Sequence, residues 1–210
     1  IPVPYAPLSQ GTPDAPPAWI KALQDGGSEV TILFGVSSAT IAALGNAYVK
    51  QFKTQWILGS VGGDATTIAA SKKIPLALMA GAKGLSFAPA PTDTSDEYIK
   101  FFQDINTKYN TDAEKAFDNN IVAGMSSAFL VVQALKSAGA NLTRKGLMSA
   151  IENNSASFAN PFLTPLGYSK GAHIGATGYW IGTYNASGAL ISDAGAGKYT
   201  VYTTDSGAGD

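Results

Sequence analysis

The sequence predicts an α/β fold in which a parallel sheet is flanked by helices, and three neighbouring segments carry that prediction. Val30-Thr31-Ile32-Leu33-Phe34 is a continuous apolar run, as expected of a parallel strand covered on both faces. After the turn Gly35-Val36-Ser37-Ser38, the residues Ile41, Leu44, Tyr48 and Phe52 recur near helical spacing. Gln55-Trp56-Ile57-Leu58 reads as a second strand and runs into Gly59-Ser60-Val61-Gly62-Gly63-Asp64. Both loops then lie at the carboxyl ends of adjacent strands, where open α/β sheets bind ligands.

The remaining elements follow in order. Residues 1–17 carry six prolines, which forbid a helix and allow at most a short edge strand. Asp14 is placed to cap a helix bearing Trp19, Ile20 and Leu23, with Pro16 and Pro17 in its first turn, and Gly26-Gly27 ends that helix. Asp64 is placed to cap a short helix over residues 65–71. Leu76–Met79 and Leu85–Ala88 read as short strands, and Pro89-Ala90-Pro91 as a crossover. Thr94-x-x-Glu97 matches a capping box, followed by a stripe of Tyr98, Phe101, Phe102, Ile105 and Tyr109. Thr111-x-x-Glu114 is a second capping box. The stretch from Ile121 to Ser137 is apolar around most of a helical circumference, which predicts packing on several sides until Gly139 stops it. Thr143 caps one more helix through Leu147, Met148 and Ile151. Residues 153–176 are turn-rich, Tyr179–Tyr184 and Lys198–Thr203 alternate like strands around Asn185–Gly188, and the tail Asp205–Asp210 reads as frayed.

Composition narrows the function. At 210 residues the chain makes one large domain or two small ones, and 45% hydrophobic residues suffice for a core. Only 14% of residues are charged, against about 25% in a typical domain, a balance that favours a secreted protein. The net charge is −1 and Arg144 is the sole arginine, so the clustered cations that displace counterions from nucleic acid are lacking. With no cysteine, disulfides, thiolate metal sites and cysteine nucleophiles are excluded. No run approaches 18 apolar residues, so the chain is expected not to span a membrane and no direct membrane insertion is expected.

Few residues carry reaction chemistry. The Gly59–Asp64 loop lacks both the G-x-G-x-x-G spacing and a Walker lysine. It is either a glycine turn with Asp64 as helix cap, or a set of amides facing a ligand. Ser37, Ser38 and Thr40 open the helix after the first strand; one hydroxyl caps it, and the other groups are free to meet a carboxylate or amide. His173 is the single histidine and lies in a Gly/Ala-rich loop with no nucleophile elbow nearby, so a serine hydrolase is a remote alternative. Asp93, Asp96 and Glu97 cluster where helix capping accounts for them. No metal or cofactor motif is present. Asn141-Leu-Thr, Asn153-Asn-Ser and Asn185-Ala-Ser are sequons, relevant only in a eukaryotic secretory pathway. Trp56, Tyr98, Phe101 and Trp180 read as core aromatics.

The order of these segments resembles a known family. Asp14…Trp19-Ile20…Leu23, Val30–Gly35 and Lys53–Gly59 are similar to the second lobe of type I periplasmic solute-binding proteins, nearest to the branched-chain amino acid receptors of ABC transporters. Met125–Gly139 with Asn141–Ile151 resembles that family's return helices, and Gly175–Tyr184 its late strand. The resemblance implies the carboxyl-terminal half of an incomplete two-lobed fold. It divides the chain into a second-lobe α/β region over 1–90, a helical segment packing on the first lobe over 91–158, and late second-lobe strands with the tail over 159–210.

What the resemblance implies is the solute-binding component of an ABC importer, capturing an amino acid or a carboxylate- or amide-type compound between two lobes. Such a protein is not an enzyme and needs no cofactor. Its partners are a small-molecule ligand, an ABC permease and the N-terminal portion of the same protein. It is periplasmic or extracellular, secreted or lipid-anchored. The alternative keeps the fold in an extracellular ligand-sensing domain of a receptor. The implied ligand-binding residues are Val36, Ser37, Ser38, Val61, Gly62, Gly63 and Asp64. The family's aromatic and acidic contacts for a ligand ammonium fall at Val36 and Val61, which replaces both polar anchors with valine.

Overall fold

The computed structural model describes residues 15–111, 117–140 and 142–204; Asp14, Glu114, Asn141 and the tail from Asp205 lie outside them. The chain forms two compact units. Unit 1 takes in the residues through Leu85 together with Ile181–Asp193, and unit 2 takes in Ser86–Trp180 and the residues from Ala194.

In unit 1, helix α1 (Ala15–Asp25) ends as the glycine pair requires. Gly27 adopts φ 65, and the Gly27 and Ser28 amides donate to Gln24 O and Leu23 O at 3.1 and 3.0 Å, closing a Schellman turn. Strand β1 (Val30–Leu33), helix α2 (Ser37–Val49) and strand β2 (Gln55–Leu58) then form the βαβ unit. Thr31 pairs with Trp56 and Leu33 with Leu58 in parallel register. Helix α3 (Ala65–Ser71) starts at Asp64 as expected: its carboxylate accepts from Thr67 N at 3.0 Å and Thr67 Oγ1 at 2.5 Å. Strand β3 (Lys83–Ser86) joins β2 in parallel, and the order continues through β4 (Gly178–Tyr184) to β5 (Leu190–Ser192), which runs antiparallel to β4. The Asn185–Gly188 turn links these last two, with Gly188 at φ 79 and Asn185 Oδ1 accepting from Ser187 N and Ala189 N.

Four local expectations are corrected. β1 is not covered on both faces: Thr31 and Leu33 point at the helices, whereas Val30 and Ile32 are exposed, Ile32 to 72%. The core gathers Ile20 and Leu23 from α1, Ala43, Leu44 and Ala47 from α2, Trp56 and Leu58 from β2, and Ile68 from α3, all on one side of the sheet. Leu76–Met79 is a 3₁₀ turn, not a strand, because Leu, Ala and Met favour helical backbone and Leu78 N reaches Pro75 O at 3.1 Å. β3 ends at Ser86, two residues early, where Ser86 Oγ donates to Ala88 O and turns the chain before Pro89. Of Lys198–Thr203, only β6 (Tyr202–Thr203) pairs, antiparallel to the first residues of β4.

Unit 2 is built on three helices. Helix α4 (Glu97–Tyr109) is capped by Asp96, whose carboxylate accepts from Tyr98 N and Ile99 N at 3.0 Å each. The expected Thr94 box is displaced because Asp96 satisfies two amides at once, while Asp93 folds the preceding turn by accepting from Ser95 N. The buried line on α4 is Ile99, Phe102 and Asn106, rotated from the expected stripe so that Phe101 and Tyr109 are exposed. Helix α5 (Asn119–Ala138) and helix α6 (Arg144–Asn154) take the caps Asp118 and Thr143, and Gly139 stops α5 at φ 76. α5 packs on α4 and α6. It is not enclosed: Val122, Ser126 and Ala134 are buried, while Val131, Val132 and Leu135 face outward. Contrary to the expectation that no segment is apolar over enough length, its 20 residues and mean hydropathy of 1.5 make it long and apolar enough to cross a membrane, because Ser126, Ser127 and Gln133 interrupt its apolar residues without adding charge.

The Pro89–Pro91 segment is fixed within unit 2. Trp180 Nε1 donates to Ala88 O at 2.8 Å, and Tyr199 OH accepts from Ala90 N at 3.1 Å while donating to Asp93 Oδ2 at 2.7 Å. The two rings lie 5.0 Å apart. Partial burial pushes the Asp93 carboxyl up, but hydrogen bonds from Ser95, Tyr199 and two backbone amides outweigh it and hold the group below the ordinary carboxylate value.

Candidate functional site

The carboxyl ends of β1 and β2 open into a cleft of about 370 Å³, lined by Phe34, Gly35, Val36, Gly59, Ser60 and Val61. The strand register makes it: Leu33 and Leu58 are partners, so the residues beyond them leave the sheet side by side. Gly59 N donates to Leu33 O at 3.0 Å, extending the ladder by one bond. Past that point the two loops are braced by Ser37 Oγ, which donates to Val61 O at 3.1 Å. Ser37 was expected as a possible helix cap, but the N-cap position is Val36 and no side chain caps α2.

The glycines set how closely the loops approach. A Cβ on Gly62 would lie 2.7 Å from Gly35 O and 3.0 Å from Thr40 Oγ1, and one on Gly63 would strike the hydroxyl of Tyr184. Gly62 and Gly63 are therefore buried beneath the cleft. Asp64 is 2% exposed and directs its carboxylate into the first turn of α3. Burial, and then the nearby charge of Asp64, push the Tyr184 phenol up to about 12.

Of the seven residues named from the sequence, Val36 and Val61 line the cleft, at 46% and 59% exposure. Ser37 braces the loops from below, Ser38 faces solvent, and Gly62, Gly63 and Asp64 form the packed floor. Sequence reasoning missed Phe34, Gly35, Gly59 and Ser60 as lining. The apolar run predicts Phe34 as the buried end of a strand, but it extends past the last paired residue and is 88% exposed. Its position one residue beyond the register was the available signal.

A second cavity, of about 420 Å³, lies within unit 2 among α5, α6 and the coil after α6, lined by Leu130, Ala134, Met148, Ile151, Phe158 and Leu166 together with Glu152 and His173. His173 is exposed, with Nε2 3.7 Å from Glu152 Oε1. The serine hydroxyl in the same lining, Ser127 Oγ, donates to Ala123 O at 2.9 Å. Among the described residues no group of three or more His, Asp or Glu side chains converges as a metal site would require.

Comparison with known proteins settles the family. The family model for periplasmic binding proteins matches residues 3–189. The chain belongs to the periplasmic binding protein family. Solved structures share its fold. A branched chain amino acid ABC transporter from Thermus thermophilus with bound valine aligns over 90% of this chain and 49% of its own, at a TM-score of 0.74 and 18% identity. The ABC transporter substrate binding protein of Aeropyrum pernix aligns over 96% and 51%, at a TM-score of 0.73 and 14% identity. The fatty acid ABC transporter substrate-binding protein of Thermomonospora curvata aligns over 90% and 47%, at a TM-score of 0.69 and 18% identity. No curated protein matches. This periplasmic binding protein chain thus has the type I fold of its family, an open mixed sheet with flanking helices, and spans about half the length of those structures. The family is one of solute-binding proteins.

Proposed function

We propose that this chain serves a non-catalytic solute-binding component of an ABC importer, and that the cleft at the ends of β1 and β2 is one wall of its solute site. The observation that carries this is the coincidence of family membership with an open, loop-lined cleft at the position where α/β sheets receive ligands. Val36 and Val61 touch the solute, Ser37 fixes the loop spacing, and Gly62, Gly63 and Asp64 hold the floor. Ser38 is exposed in the first turn of α2.

The opposing wall belongs to a portion of the protein outside this chain. The exposed apolar residues of β1 and α5 support that reading, because Val30, Ile32, Val131, Val132 and Leu135 form surfaces of the kind a further packed layer covers. In the same reading the working location is the periplasm or the cell exterior, and the downstream partner is a membrane permease. A structural neighbour described as an extracellular ligand-binding receptor, from Verminephrobacter eiseniae, favours a sensory role as the second reading.

The test is a thermal-shift screen of the chain with amino acids, aliphatic and aromatic acids, and their amides. A stabilising solute whose effect disappears in Val36→Trp, which fills the cleft, supports the proposal. A solute that stabilises Val36→Trp equally well, or a screen in which none stabilises, contradicts it.

A further inference from the structure

Resting on the reading of the cleft as a ligand wall, the geometry points to a solute that presents an apolar body, and no ammonium group, to unit 1. The apolar side chains of the cleft lining are Phe34, Val36 and Val61, all substantially exposed. Gly35 and Gly59 supply backbone, and Ser60 supplies one neutral hydroxyl. The nearest carboxylate in the loop sequence is Asp64, and it is committed elsewhere. It is 2% exposed, it accepts from Thr67 N and Thr67 Oγ1, and the buried Gly62 and Gly63 separate it from the lining residues. Swinging it outward would strip α3 of its cap.

An ammonium brought against Val36 and Val61 would lose water without gaining a charged acceptor, and the face of Phe34 offers only a cation–π attraction in return, less than the cost of desolvating the charge. An aliphatic chain or aromatic ring placed there removes apolar surface of both partners from water, which is favourable. The preferred class is therefore a neutral or acidic solute with an aliphatic or aromatic body, its polar head directed away from this wall. α-Amino acids that must seat their ammonium on unit 1 are disfavoured.

The experiment pairs isovalerate with valine, two probes of the same branched carbon skeleton that differ by the α-ammonium. Their binding to the 210-residue chain is measured by titration of backbone amide NMR shifts, in the wild type and in Val61→Glu. In the wild type isovalerate binds more tightly than valine. Val61→Glu supplies a carboxylate at the cleft and reverses the order, with valine gaining about tenfold, the worth of one charge-assisted hydrogen bond. Valine equal to or tighter than isovalerate in the wild type, with shifts at Val36 and Val61, overturns the ligand class and leaves the cleft intact as a site. Shifts at Val36 and Val61 from neither probe, in a chain with a dispersed spectrum, overturn the ligand-wall reading and this inference with it.

Discussion

Replacing Gly62 by alanine drives a methyl carbon to 2.7 Å from the carbonyl oxygen of Gly35. That is about 0.6 Å inside the short limit of ordinary carbon–oxygen contact, roughly 3.3 Å. The struck atom is backbone, and the next neighbour, Thr40 Oγ1 at 3.0 Å, belongs to a fully buried side chain, so no flexible group can swing aside. The two loops must separate, against the Ser37–Val61 hydrogen bond. Overpacking of this kind costs about 1–3 kcal/mol. At about 2–4 °C per kcal/mol for a chain of this size, Gly62→Ala lowers the melting temperature by about 2–12 °C. Circular dichroism melts give the comparison, with Gly124→Ala as control. Gly124 sits in α5 with open space around its Cβ position, so alanine there raises stability by about 0.5–1 kcal/mol through helix propensity. A Gly62→Ala chain that melts with the wild type, beside a Gly124→Ala chain that behaves as stated, refutes the packed floor.

Four further outcomes follow from other contacts. Asp64→Ala removes the α3 cap and costs about 0.5–2 kcal/mol in urea unfolding. Asp93 has its folded-state pKa held below the ordinary 3.8, so its contribution is present above that value and lost as pH falls through the lower, folded value. Tyr199→Phe removes one of its hydrogen bonds and should move acid unfolding to higher pH. Tyr184 is raised from 10.0 to about 12, so the folded state retains a proton the unfolded chain releases; stability is intact below pH 10 and falls as pH rises toward 12. Tyr184→Phe removes the Tyr184 share of that alkaline decline and leaves the share of Tyr199, whose phenol is also raised by burial and by Asp93, read from denaturant midpoints across the range. Val131→Lys with Val132→Glu, on the outward face of α5, leaves the chain's thermal melt within about 0.5 kcal/mol of the wild type, because both side chains are solvent-exposed.

Much of the fold was legible because several signals are local. Asp64, Thr143 and Gly139 sit where capping chemistry acts within one helical turn, and each performs as its residue type requires. The strand–helix–strand order of the βαβ unit follows from its two apolar runs and the helical spacing between them. What failed depended on packing elsewhere in the molecule. Val30–Phe34 has the pattern of a strand covered twice, but the described residues cover only the Thr31 and Leu33 side. Leu76–Met79 was apolar and short, which periodicity alone cannot assign to strand or helix. At the cleft, the sequence named the loops but not which residues face outward. Gly62, Gly63 and Asp64 looked available until the Gly35 carbonyl and Tyr184 ring closed over them.

The most direct test of the account is where a solute lands. Isovalerate titrated into isotopically labelled chain should shift the amides of Gly35, Val36, Gly59, Ser60 and Val61 together, with one dissociation constant. Shifts confined instead to Leu130, Ile151 and Leu166, in the cavity between α5 and α6, would contradict the assignment of the solute wall to the β1–β2 cleft.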